Sequence, residues 1–190
     1  GISLGSIYAL IALGYTMVYG IIKLINFAHC DVYMIGAYIG YVCMTKFHLG
    51  FVPSLLIAMV VCTLLGITIE KIAYKPLRNA TRIAVLITAI GVSLFLENVT
   101  KLIAGPTSRS YPEMTGIMTK RISFGSIVIT MQQVIILAIT VALMILLQVI
   151  VKKTKIGKAM RAVSMDRDAA ELMGIDVNST ITFTFALGSA

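Results

Sequence analysis

Charge is scarce in this chain. Only 13% of its 190 residues are Asp, Glu, Lys or Arg, 58% are hydrophobic, and mean hydropathy is +0.96. That composition excludes an ordinary soluble domain, where roughly a quarter of residues are charged. Acids are scarcer than bases, 8 against 16, which leaves a net charge of +8. The excess does not imply nucleic acid, because the basic residues cluster at the ends of apolar runs, where membrane topology accounts for them. Cysteine is limited to Cys30, Cys43 and Cys62, an odd number without the paired spacing of a zinc site or disulfide framework. All three read as small buried hydrophobes. Histidine is limited to His29 and His48, and no carboxylate pair or Cys/His cluster has metal-ligand spacing. No metal and no cofactor is expected in this chain.

What the sequence has in abundance is uncharged length. Phe51 to Ile69 runs 19 residues without a charge and Ile127 to Val151 runs 25. At ~1.5 Å per residue each can cross a hydrocarbon core of about 30 Å. Gly1 to Ile22 is a third such segment, Ile83 to Ile103 a fourth, and Ile181 opens another that stops at Ala190. The expected fold is all-α, a polytopic transmembrane helix bundle, with residues 1–190 forming one membrane domain. The first residue is Gly rather than Met and the last apolar run has ten residues, so both ends read as cuts in a longer protein. No basic residue precedes Lys23, unlike the start of a secretory signal.

If each apolar segment crosses once, Lys23, the Glu70–Arg82 loop and the Lys152–Asp176 loop share one side. They hold eleven Lys or Arg, against five on the other side, among them Arg109, Lys120 and Arg121. The positive-inside rule then puts 152–176 in the cytoplasm and Pro106–Gly125 outside. Val32 to Thr45 resists this count, because 14 uncharged residues fall short of the ~17 to 25 that a span needs. Two readings of Lys23 to Asp31 are open. In one the segment is a break within the bundle, the kind of place where transporters bind substrate, with Asn26, His29 and Asp31 beside the path. In the other it is a tight turn whose Asn26 and Asp31 cap helix ends.

Lys152 to Gly174 is the one extended charged segment between apolar ones. Five basic residues, Lys152, Lys153, Lys155, Lys158 and Arg161, precede a mixed run of Asp166, Arg167, Asp168 and Glu171. On one helix, Met160, Val163, Ala170 and Met173 form an apolar stripe facing away from the charges, with Gly174 as the stop. Gly157-Lys158 lacks the Gly and Ser/Thr that complete a phosphate loop, so the chain does not bind ATP by that motif. Glu97 and Asn98 lie late in an apolar span, either as path residues or as an interfacial pair with Lys101 one turn on. Gly5, Gly14, Gly20, Gly36, Gly40 and Gly66 suit close helix packing.

Three ordered stretches, Gly5-Ser6-Ile7-Tyr8-Ala9-Leu10 through Gly20, Ile25-Asn26-Phe27-Ala28-His29, and Tyr33-Met34-Ile35-Gly36-Ala37-Tyr38, resemble the permease subunit of bacterial branched-chain amino-acid ABC importers, of the LivH type. The resemblance continues through Glu70-Lys71-Ile72-Ala73-Tyr74-Lys75-Pro76-Leu77-Arg78, Ile87-Thr88-Ala89-Ile90-Gly91-Val92-Ser93 and Gly157-Lys158-Ala159-Met160-Arg161-Ala162, to Gly174-Ile175. It implies a non-enzymatic subunit of the bacterial inner membrane. The implied partners are a second permease subunit, two ATP-binding subunits that hold ATP and Mg, a periplasmic amino-acid-binding protein and membrane lipid. It further implies that a cytoplasmic helix docks on an ATPase subunit, with Gly157, Arg161, Ala162, Ala169, Ala170 and Gly174 on the matching motif. Met160, Val163 and Met173 would be its apolar anchors, and Arg161 and Arg167 would pair with acids at the rim. After Asn-Phe-Ala-His the family usually has Gly before an acid. Here Cys30 precedes Asp31, which strains the turn if that Gly serves a positive φ.

Two rival classes follow from the same residues. A secondary transporter would place coupling-ion ligands at the bilayer midplane, where no acidic cluster is legible. An intramembrane hydrolase would pair Ser6 or Ser93 with His29, though nothing in the spacing selects either. Within the ABC class, other amino acids, amides or urea are alternative substrates.

Overall fold

A chain in hydrocarbon must satisfy its backbone internally, so the uncharged runs fold as helices. Among the described residues four are long and apolar enough to cross: α1 (Ile2–Ile22), α3 (Phe51–Ile69), α4 (Arg82–Ala104) and α5 (Met131–Lys153). Two shorter ones, α2 (His29–Thr45) and α8 (Val177–Ser189), pack with them, and α6 (Lys155–Met165) and α7 (Arg167–Leu172) lie at the basic end of the bundle. The computed structural model describes residues 2–23, 25–78, 80–107, 109–111, 121–124 and 127–190. Gly1, Leu24, Lys120 and Gly125, which entered the reading of the sequence, lie outside the described residues.

The all-α class stands with one addition that hydropathy did not indicate. Arg121–Phe124 (β1) and Ile127–Thr130 (β2) pair as an antiparallel hairpin, Arg121 opposite Thr130 and Phe124 opposite Ile127. The uncharged run that begins at Ile127 therefore turns helical only at Met131.

The bundle is centred on α8, which is wedged between α1 and α3; α5 flanks α1, α2 flanks α3, and α4 packs on α2. Small residues permit these approaches. A Cβ at Gly66 of α3 would overlap the Ser189 side chain of α8, and one at Gly14 of α1 would lie 2.9 Å from the Gly188 carbonyl oxygen. At Gly36 of α2 it would meet Cys62 Sγ at 2.7 Å. Gly5 and Gly20 face open space, so the sequence over-read those two.

The buried cluster lies toward the basic end, where Ile21, Ile22, Ile69, Tyr74, Met160, Val163, Ile181 and Phe185 close on one another. The Tyr74 and Phe185 rings are 5.1 Å apart there. By contrast, only 6% of the most apolar window of α5 is buried, and Val141, Ile145, Leu146 and Val149 face outward. An apolar surface of that extent fits lipid rather than water. Arg167 bonds the carbonyl of Ile22 and Arg78 bonds Asn178, so Lys23, the 70–82 loop and the 152–176 loop share one end, as the charge count required.

Candidate functional site

The break after α1 is real. Lys23 turns the chain at φ +58, a left-handed conformation uncommon outside glycine. The segment then climbs back along the bundle. The Tyr74 hydroxyl donates to Asn26 Oδ1 at 3.0 Å, with the Ile25 carbonyl at 3.4 Å, and the His29 N–H donates to the Asn26 carbonyl at 3.3 Å. α2 starts at His29, whose ring lies 6.3 Å from that of Tyr15 and against Gly14. Gly14 is eight residues above the last residue of α1. At 1.5 Å per residue, α2 therefore begins about 12 Å inside the basic end and runs only to the far face.

The capped-turn reading is thereby corrected. Ala28 occupies the N-cap of α2 without a side-chain bond, Asn26 is engaged by Tyr74, and Asp31 reaches across to α4, where Ser93 Oγ donates to its Oδ2 at 2.5 Å. Cys30 sits exposed in the first turn of α2 with no positive φ, so its replacement of glycine causes no strain.

Of the five path residues expected from sequence, three lie on the returning segment and the first turn of α2. Asn26 and His29 are buried, and Asp31 lies beside them at mid-depth, facing a hydroxyl rather than a cation. A carboxylate at that depth is costly unless it is hydrogen-bonded, as Asp31 is by Ser93. Glu97 and Asn98 lie elsewhere: Glu97 pairs with Lys101 at 2.7 Å on the exposed surface of α4, and Asn98 folds back to the Leu94 carbonyl. Their contacts are those of the interfacial reading. Sequence reasoning missed Tyr74 and named Ser93 only as a rival nucleophile for His29, not as the partner of Asp31, although both fell in stretches that carried the family resemblance.

At the basic end the expected single helix is two. Asp166 is extended at φ −151 and caps α7, its Oδ1 accepting from the N–H groups of Asp168 (2.9 Å) and Ala169 (3.1 Å). Thr154 caps α6 by accepting from the Gly157 N–H at 3.0 Å. Gly157 lies so close to the Ile150 and Val151 carbonyls that a Cβ there would overlap them. α7 stops at Gly174 (φ +81), with Gly174 N–H donating to the Glu171 carbonyl and Ile175 N–H to that of Ala170, the paired bonds of a Schellman motif.

The kink redistributes the stripe. Met160, Val163 and Ala170 are buried against the bundle, which removes them as anchors for a partner, while Met173 is 82% exposed. Met165 and Leu172, unremarked in the sequence, are exposed to the same degree, and Ala169 and Arg161 also face out. Ala162 is half-buried. Arg167 turns inward instead of to a rim: its Nη2 donates to the Ile22 carbonyl at 2.6 Å. Burial, and then the nearby Arg78 guanidinium, lower its pKa, with Asp168 opposing. A guanidinium so shifted remains a cation at neutral pH.

A further buried network escaped the sequence. α3 continues as a π-helical turn, Glu70–Tyr74, and Glu70 is fully buried there. Its Oε1 pairs with Arg78 and its Oε2 accepts from Thr182 Oγ1 at 2.9 Å; the other arm of Arg78 reaches Asn178 of α8. The sequence signal was an acid directly after 19 apolar residues, read only as a loop charge.

Four helices long enough to cross, a half-crossing helix that starts at mid-depth, and a paired helix folded under the basic end define a polytopic membrane protein. The sequence profile described as "Branched-chain amino acid transport system / permease component" matches residues 1–190. The high-affinity branched-chain amino acid transport system permease protein BraD of Pseudomonas aeruginosa is 38% identical over 200 residues. The LivH proteins of Salmonella typhimurium and Escherichia coli K12 are 39% identical over 201 and 38% over 205. Each alignment covers all of this chain, and the chain spans 65% of the length of each of these relatives. No solved structure matches. The chain belongs to the permease-component family of branched-chain amino acid transport systems.

Proposed function

We propose that this chain is the membrane-spanning permease subunit of an ATP-driven importer of leucine, isoleucine and valine in the inner membrane. A second permease subunit would complete the pathway, two ATP-binding subunits would hold ATP and Mg and hydrolyse it, and a periplasmic binding protein would deliver the amino acid. One observation carries this reading: the α6–α7 pair exposes Met165, Leu172 and Met173 away from the bundle while Arg167 ties it to the end of α1. Exposed apolar side chains on a charged helix pair suit a groove on an ATPase subunit, and the tie gives displacement of that pair a route into α1. Asn26, His29 and Asp31 would line the path, with Ser93 and Tyr74 positioning them. Leu172→Arg in the full-length protein tests the docking surface, because Leu172 is exposed and the fold does not depend on it. Uptake driven by ATP should be lost while membrane insertion and yield persist; normal uptake would sink the docking surface.

The mid-depth carboxylate of Asp31 also suits an ion-coupled carrier. Vanadate-sensitive uptake by the assembled complex separates the two readings, and competition by amides or urea against leucine tests the substrate class.

A further inference from the structure

The α2–α4 seam holds a second polar feature, at its far end. Gly105 (φ +81) ends α4, and the chain folds back over the outer half of α2, where the Tyr111 hydroxyl donates to the Ala37 carbonyl at 2.5 Å. Beneath this fold-back is a cavity of about 190 Å³ lined by Ala37, Tyr38, Tyr41, Ala104, Thr107, Arg109 and Tyr111. Two alanines and three tyrosines line it with Thr107 and Arg109. Tyr41 and Tyr111 meet edge to face with ring centroids 6.0 Å apart, which fixes the aromatic corner. Among the described residues, Arg109 is the single charged one of the lining. It lies over the Tyr41 ring at 6.0 Å, and its Nη2 donates to the Ala104 carbonyl at 3.0 Å. The guanidinium is held in place by these contacts and keeps N–H groups for another acceptor.

We propose that this cavity is a receiving subsite for the transported amino acid, in which Arg109 binds the α-carboxylate and the tyrosines take the branched apolar side chain. The inference rests on the proposed transport of a branched-chain amino acid. An arginine fork matches a carboxylate in shape and charge, and among the described residues no acid in the lining competes for it. A few placed polar groups in an otherwise apolar hollow is the usual make-up of a small-molecule site. Its position fits the role. Tyr41 lies ten residues along α2 from Asp31, about 15 Å at helical rise, so the cavity and the Asp31–Ser93 pair are successive points on one seam.

The test uses the full-length complex in nanodiscs. Thr107→Cys, placed in a Cys30→Ser background, reports occupancy through its rate of modification by a water-soluble thiol reagent. Leucine and isovalerate should slow the reaction and leucinamide, which lacks the carboxylate, should not. Arg109→Gln should raise the protecting leucine concentration by about tenfold or more, as expected for loss of a charge-assisted bond worth at least ~1.4 kcal/mol, with Arg109→Lys between. Equal protection in wild type and Arg109→Gln, equal protection by leucinamide, or no protection at all overturns the subsite. Stimulation of the ATPase by binding protein and leucine, measured on the same preparations, decides separately on the transport reading.

Discussion

Arg167 of α7 caps α1: its Nη2 bonds the carbonyl oxygen of Ile22, 145 residues earlier in the chain and 2.6 Å away. A cation at a helix C-terminus meets the negative end of the dipole and satisfies a carbonyl that has no partner within its helix. Arg167→Gln should lower stability by about 1–2 kcal/mol, the worth of a charge-assisted bond in a half-buried place. It should also reduce transport more than ATP hydrolysis, because it loosens the tie between α7 and α1. Paired uptake and ATPase measurements on the reconstituted full-length complex check this; equal losses in both would reject the tie as a mechanical element.

Gly157→Ala should be far more harmful than Gly20→Ala. The added methyl at 157 overlaps main-chain carbonyls of α5, which cannot rotate away, whereas at 20 it meets nothing within 4 Å. An overpacking cost of about 1–3 kcal/mol is expected at 157 and almost none at 20. Melting temperatures of the two purified variants in one detergent compare them directly.

Removing one partner of the Glu70–Arg78 pair leaves a buried charge unmatched. Glu70→Ala should cost about 3–5 kcal/mol, and Glu70→Gln less, since the amide still accepts from Thr182 Oγ1. The double variant Glu70→Gln, Arg78→Met should recover part of the loss. A double-mutant cycle of unfolding free energies reads the coupling, and strict additivity would show that the two residues do not interact.

Asp176 caps α8, accepting from the Ser179 N–H at 3.1 Å and the Ser179 hydroxyl at 2.6 Å. The hydroxyl bond first, then the N–H bond, hold its carboxyl below the usual carboxylate range. The folded pKa is thus lower than the unfolded one, so the cap contributes fully above the unfolded value, near 3.9, and its contribution fades as pH falls through the folded value. Asp176→Asn should flatten the acid limb of a stability–pH curve below about pH 4 and leave the neutral region nearly level.

Spans, topology and the half-length of α2 were legible because hydropathy and charge position report directly on the cost of burying polar groups in lipid. The stop at Gly174 was legible for a similar reason, since a left-handed C-cap favours glycine. The kink at Asp166 was not. Asp in a helical pattern reads equally as a surface charge or a cap, and only the fold shows its φ. That one residue resets the phase of the stripe, so Met160, Val163 and Ala170 turn to the bundle while Met173 faces out. Glu70 and Ser93 were hidden differently: their partners, Arg78 with Thr182 and Asp31, are set by tertiary packing across up to 112 residues, which no local pattern encodes.

The shortness of α2 also bears on how the protein is made. Seventeen residues that include Asp31 form a weak substrate for a translocon, which weighs each segment by length and central charge. α3 follows after only five residues, 46–50, and has no charge at all. Joint entry as a hairpin is the expected route, with α3 as the insertion signal for the element that precedes it. Polar substitutions in α3 should strand α2 outside the membrane during synthesis, before any transport step is reached.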